Sequence, residues 1–115
     1  MNQYRKGLFA EYYAATYLFL KGYRIRKMRY KTHVGEVDII AKKGLELTFT
    51  EVKYRPNYSK GAYAITPKSQ GRIRRAAEYY MMENAKESST IDNEIRIDAI
   101  IITNFFVIHH IKNAF

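Results

Sequence analysis

The sequence contains no cysteine, so a disulfide framework and thiolate chemistry are both excluded. It has no apolar run near the ~20 residues that cross a bilayer as a helix. At its start, Met1-Asn2-Gln3-Tyr4-Arg5-Lys6 reaches Glu11 before any signal-peptide apolar region develops. Together these absences predict a cytoplasmic protein with no membrane partner. His-x-x-x-His spacing is missing as well, which with the lack of cysteine argues against zinc. No Gly-rich loop of Walker or dinucleotide type occurs. Nothing matches a zinc finger, a helix-turn-helix or an RNP pair, so base-specific readout is not expected. Acidic residues are scarce: eleven Asp and Glu stand against twenty Lys and Arg, a formal charge of +9. That excess predicts attraction to polyanions, nucleic acid foremost.

What is present suffices for one folded domain. A chain of 115 residues has no room for a second core, and 47% hydrophobic residues exclude disorder over the whole length. Eleven tyrosines against six phenylalanines suit a thin domain, where a ring lines the core edge and its hydroxyl stays wet.

Along the chain, residues 4–20 read as an amphipathic helix with Leu8, Tyr12, Ala15 and Phe19 at helical spacing and Gly22 as the stop. Glu11 falls on or beside that stripe, where a carboxylate needs a partner, a metal or an escape to solvent at the margin. Tyr23–Tyr30 alternates as a first strand, and Thr32-His33-Val34-Gly35 breaks it. Glu36–Ala41 and Leu47–Lys53 read as two strands of a hairpin joined through Lys42-Lys43-Gly44. Residues 54–66 lack a period and read as a loop. Thr66 and Pro67 then cap a second helix carrying Ile73, Ala76, Ala77, Tyr80 and Met81 on one face. A polar surface linker is expected over 83–94, followed by strands Ile95–Ile102 and Phe105–Ile111. The predicted order is α-β-β-β-α-β-β: an α/β fold with a mixed β-sheet flanked by helices, one domain over 1–115. Adjacent His109 and His110 point to opposite faces of the last strand and make a poor ligand pair.

The hairpin holds the sharpest chemical signal. Two-residue periodicity puts Glu36 and Asp38 on one face of their strand, and Glu51 and Lys53 on one face of theirs. A Lys43-Gly44 turn sets Glu36 opposite Glu51, whereas a Gly44-Leu45 turn sets Asp38 opposite Glu51. A three-residue loop without a bulge sends the pairs to opposite faces. Facing carboxylates repel unless a cation lies between them. A hard divalent ion such as Mg²⁺ takes carboxylate oxygens plus water, and in phosphodiester cleavage it activates a water. The plain alternative is a solvent-facing Glu-x-Lys beside an edge-strand Asp.

The chain resembles the YraN-like family of small bacterial proteins over nearly its whole length. Gly7-x-x-x-Glu11-x-x-Ala14, Tyr17-Leu18, Gly22-Tyr23 and Tyr30 follow the family's opening. Gly35-Glu36-Val37-Asp38-Ile39-Ile40-Ala41, Phe49-x-Glu51-Val52-Lys53-x-Arg55, Gly61, Lys68, Arg72, Ala76-Ala77, Arg96-x-Asp98 and Asn113-Ala114-Phe115 complete it. Met28 and Thr50 stand where the family commonly has Asn and Val, and neither is a ligand position. The family looks like a branch of the restriction-endonuclease-like superfamily, similar to archaeal Holliday-junction resolvases. The resemblance implies Asp38 and Glu51 as ligands of Mg²⁺ or Mn²⁺, Lys53 as catalytic lysine and Glu11 as a further catalytic member. Glu36 supports either a second metal or the loop geometry. It implies a DNA endonuclease for branched or otherwise structured DNA; the rival is a binding or adaptor module that retains the scaffold.

Nucleic-acid contacts are expected from Arg24, Arg26, Lys27, Arg29 and Lys31, from Arg72 and Arg75 beside Arg74, and from Arg55, Lys60 and Lys68. Tyr23, Tyr30, Tyr54, Tyr58 and Tyr63 are interleaved with them, so backbone clamping and base stacking are expected, selective for DNA structure rather than sequence. Cutting both strands needs two sites, so a homodimer is a further expectation.

Overall fold

The computed structural model describes residues 1–85 and 94–115. Asn2 starts helix α1 (Gln3–Leu20) by accepting the Arg5 N–H at 2.8 Å, and Gly22, at φ 97°, turns the chain out of it. The buried face of α1 differs from the expected stripe. Ala10, Ala14, Ala15 and Leu18 are buried, while Tyr12 and Phe19 are 60% and 66% exposed. From Leu8 to Leu20 every position but Glu11 and Thr16 is apolar or aromatic, so periodicity has little angular preference. The alanines decide, because small side chains let the helix lie close on the sheet.

Strands β1 (Arg24–Lys31), β2 (Glu36–Lys43) and β3 (Glu46–Tyr54) form an antiparallel meander. Lys43 pairs with Glu46, so the turn is Gly44-Leu45, and Gly44 takes the left-handed φ of 58°. After β3 the expected loop contains a short helix, α2 (Tyr58–Tyr63), capped by Asn57 onto the Lys60 N–H. Six residues are too few to show a period, and Pro56 and Gly61 disguise them. Gly61 is there for space: a Cβ would lie 2.3 Å from Ile101 Cγ2.

Helix α3 (Pro67–Glu83) opens with the expected Thr66 cap, which Ser69 reciprocates as a capping box. Ile73, Ala76, Ala77 and Tyr80 are its buried residues, as the pattern predicts, with Met81 half-buried. The linker expected over 83–94 lies almost wholly outside the described residues. Strand β4 (Glu94–Ile102) runs parallel to β3, with α2 and α3 in the crossover, and β5 (Ile108–Ile111) returns antiparallel. A single tight turn at Asn104–Phe106 replaces the first residues of the expected last strand.

The sheet order β1-β2-β3-β4-β5 is mixed, with helices on both faces, so the α/β architecture is as expected with one extra short helix. Ala10, Ala14, Leu18, Ile39 and Ile100 form one core layer under α1; Ile40, Leu47, Phe49, Ile73 and Tyr80 form the other under α3. No helix among the described residues is long and apolar enough to cross a membrane.

A polar knot is buried at β4. Arg96 donates to both Asp98 oxygens at 3.2 and 2.9 Å and to the Tyr23 hydroxyl at 2.9 Å, and it pairs with Glu46. His110 Nε2 lies 2.9 Å from Asp98, and the Asn113 N–H donates to the same carboxylate at 2.9 Å. Burial pushes the Asp98 carboxyl up, but hydrogen bonds from His110, Arg96 and the Asn113 amide outweigh it and hold its pKa at about 2. The two histidines do part, as alternation requires: His109 meets the Tyr58 ring on the other side.

Candidate active site

The β2–β3 ladder runs from Lys43↔Glu46 to Ile39↔Thr50 and stops one step short of pairing Asp38 with Glu51. Instead the Asp38 carboxylate accepts the Val52 N–H at 2.8 Å, taking a donor that the ladder leaves open. Side-chain alternation also breaks here: Val37 packs under α3 and Ile39 under α1. Across from this break Arg29 has a left-handed φ of 52°. Asp38 therefore stands where the two strands part, and the Gly44-Leu45 turn puts it beside Glu51 rather than setting Glu36 there.

Glu36, Asp38, Glu51 and Lys53 line a small cleft of about 80 Å³, closed on the other side by Ser69 and Arg72 of α3. Gly35 brings α3 this close. A Cβ on Gly35 would lie 2.0 Å from the Arg72 carbonyl oxygen, so only glycine lets the helix backbone rest on the β1–β2 loop. Three contacts fasten the same loop: Arg72 pairs with Glu36, Arg75 Nε donates to the Val34 carbonyl at 2.7 Å, and His33 meets the Tyr79 ring edge-on. Glu36 thus both lines the cleft and ties the loop to α3.

The acidic groups disturb one another. Glu51 is pushed far above the carboxylate range by burial, by a hydrogen bond with Asp38 and by the Asp38 charge, against the pull of Lys53. The Lys53 ammonium is 3.9 Å from its carboxylate. From the opposite helix, Glu11 is raised to about 7 by burial and then by the Asp38 charge, with Arg29 and Lys31 opposing. Its buried Oε1 accepts no hydrogen bond, although Arg29 Nε lies 3.4 Å away. Here periodicity understated the case: Ala14, Ala15 and Leu18, the neighbours of Glu11 along the helix, are all buried.

This donor set suits a hard divalent cation. Among the described residues no three His, Asp or Glu come together as a group that could hold a metal ion. However, Mg²⁺ keeps several waters and needs only one or two carboxylates. Asp38 and Glu51 supply two carboxylates in contact, the arrangement that a cation relieves; Glu11 feels the Asp38 charge but does not line their cleft.

The basic residues distribute unequally. Arg24, Arg26, Lys27 and Lys31 are exposed along edge strand β1, with a bulge between Ile25 and Lys27. Arg29 instead turns inward to Glu11 and the Tyr4 ring. Lys68 is exposed on the first turn of α3, one residue from Ser69 in the cleft wall. Arg55 and Lys60 are exposed beyond the end of β3. Arg72 and Arg75 both have partners within the fold, which sequence spacing could not reveal. Sequence reasoning also missed Ser69 as a cleft residue; its position three residues after Thr66 was the available signal.

Comparison with known proteins agrees with the motif pattern. The model of the uncharacterised protein family UPF0102 matches residues 10–102. A UPF0102 protein of Rhodopseudomonas palustris strain BisA53 is 43% identical over 112 residues, covering 97% of this chain and 84% of the relative. Those of Bradyrhizobium sp. strain BTAi1 and Nitrobacter winogradskyi are 42% and 40% identical over the same share of this chain, and 80% and 92% of their own lengths. The chain belongs to the UPF0102 family, the YraN-like family that its Gly-Glu-x-Asp and Glu-Val-Lys blocks resemble.

Proposed function

We propose that this domain is a Mg²⁺- or Mn²⁺-dependent DNA endonuclease of restriction-endonuclease-like fold, acting on branched or otherwise structured DNA. The observation that carries the reading is the parting of β2 from β3, where Asp38 and Glu51 come into contact with Lys53 beside them. A purely structural surface pair has no reason to raise a carboxylate this far. The cost in stability points to a site kept for its chemistry.

Asp38 and Glu51 would hold the divalent ion, which when bound would supply an activated water and positive charge beside the phosphate to be cut. Lys53, on the Glu51 side, orients that water or balances the charge that develops on the phosphate oxygens; loss of such a group costs ~100-fold or more. Glu11, with a pKa near neutrality and a buried Oε1 that accepts no hydrogen bond, accepts a proton there or would complete the ligand shell. Lys68, on the cleft rim, and the β1 edge with Arg24, Arg26 and Lys27 hold the DNA backbone. Pairing of two copies would place two such sites on opposing strands.

The test is nicking of labelled four-way and flapped DNA against linear duplex, with Mg²⁺ or Mn²⁺ and with chelator, and with RNA as competitor. Metal-dependent products from the branched forms, suppressed by unlabelled DNA more than by RNA, are the expected result. Equal affinity for branched and linear duplex at matched salt would remove structure selectivity from the proposal.

A further inference from the structure

Phe105 and Phe106 stand side by side in left-handed backbone, at φ 65° and 60°. Bulky side chains rarely enter that region, and where they do the surroundings must hold them. Here the hold is explicit. The Thr103 N–H donates to the Val107 carbonyl at 2.9 Å, and the Phe106 N–H to the Thr103 carbonyl at 3.0 Å. The Tyr13 hydroxyl donates to the Phe106 carbonyl at 3.0 Å. The Phe106 ring is anchored among Phe9, Tyr13 and Tyr54, with ring centres 5.6, 5.6 and 6.2 Å away. Against this fixed mount the Phe105 ring is 94% exposed.

The surface beside the turn is basic. A groove of about 430 Å³ is lined by Lys6, Tyr54, Arg55 and Asn104. Arg55 also lines a second groove with Lys60 and Tyr63, whose ring is 90% exposed. Tyr54 directly follows Lys53 on β3, but its ring packs on the α1 side while Lys53 faces the cleft under α3, so the groove and the candidate active site lie on opposite faces at the same end of β3.

We infer that this groove takes an unpaired stretch of DNA that passes around the end of β3 from the cleavage site, with Phe105 stacked on a base and Lys6 and Arg55 on the flanking phosphates. This rests on the nuclease reading of the hairpin and adds to it the feature of the substrate that is gripped: a single-stranded arm at the branch. Exposed rings between cations are the chemistry of single-strand binding, since every base offers a π-face. A second copy of the chain is the poorer occupant. Self-docking across a twofold axis brings Lys6, Arg55 and Lys60 toward their own counterparts, and neither groove wall contains an acid to offset them.

Anisotropy titrations in EDTA at fixed salt, with oligo-dT, a forked duplex and a blunt duplex, test this. Phe105→Ala should weaken oligo-dT and fork binding about 10-fold and blunt-duplex binding less than about twofold, and Phe105→Trp should restore both losses. An equal loss on all three, no loss, or no binding of single strands by the wild type overturns the inference. So does sedimentation showing a wild-type dimer that Phe105→Ala dissociates, since that assigns the face to self-association. The titrations contain no metal, so a failure of metal-dependent cleavage leaves them intact. Conversely, cleavage without a Phe105 effect sinks the groove alone.

Discussion

Asp98 and Glu11 are both carboxylates withdrawn from water, and they titrate in opposite directions because their partners differ. Asp98 has donors on both oxygens and is held at about 2 from an ordinary 3.8. Its contribution to stability is complete above the unfolded pKa and is lost as pH falls from about 4 toward 2. A carboxyl held that far below its ordinary value contributes about 2 kcal/mol at neutral pH. Asp98→Asn should therefore lower the melting temperature at pH 7, and the gap from wild type should narrow in acid. Glu11 has no hydrogen bond at its buried Oε1 and is raised from 4.5 to about 7, by burial and then by the Asp38 charge. Its ionisation opposes folding, so stability falls as pH rises from about 4.5 to 7, and Glu11→Gln should melt higher than wild type at pH 8. Asp38 and Glu51 add a ligand effect. Mn²⁺ should raise the wild-type melting temperature at pH 8 and leave Asp38→Ala unmoved, as read by calorimetry.

At the scale of elements, two glycines separate packing from propensity. Gly35 touches the α3 backbone, so Gly35→Ala forces the β1–β2 loop and α3 apart, at about 3 kcal/mol and a fall near 10 °C in melting temperature. Gly7, inside α1, has no atom near where its Cβ would lie, and Gly7→Ala should stabilise by up to about 1 kcal/mol. A melting series of the two variants checks both signs. The same contrast explains what was legible in the sequence. The hairpin strands, the Thr66-Pro67 start of α3 and its buried face were readable, because period and cap chemistry act locally. The turn was not: Lys43-Gly44 and Gly44-Leu45 satisfy the same local rules, and one residue of register decides whether Glu36 or Asp38 meets Glu51. The face of α1 was misread because Tyr12 and Phe19 carry large rings that read as core alongside Leu18, and only contact with the sheet ranks them. Arg72 and Arg75 looked like free cations, because their partners, Glu36 and Val34, lie 36 and 41 residues away in the chain.

Over the whole molecule, charge and site reinforce each other. A net charge of +9 attracts any polyanion, and nucleic-acid affinity should fall steeply and linearly on a log–log plot against salt. That behaviour alone does not separate an enzyme from a binding module, since both use phosphate contacts. The site residues do separate them, because removing Asp38 subtracts a negative charge: it leaves binding equal or tighter while it takes away cleavage. Metal-dependent cutting of a labelled four-way junction by wild type, Asp38→Ala and Lys53→Ala, with junction binding measured alongside, is the most direct measurement. Products that require Mn²⁺ or Mg²⁺, absent with Asp38→Ala and reduced ~100-fold with Lys53→Ala while binding persists, are the expected result. Wild-type binding without metal-dependent products, or cleavage that survives both substitutions, would contradict a nuclease centred on this hairpin.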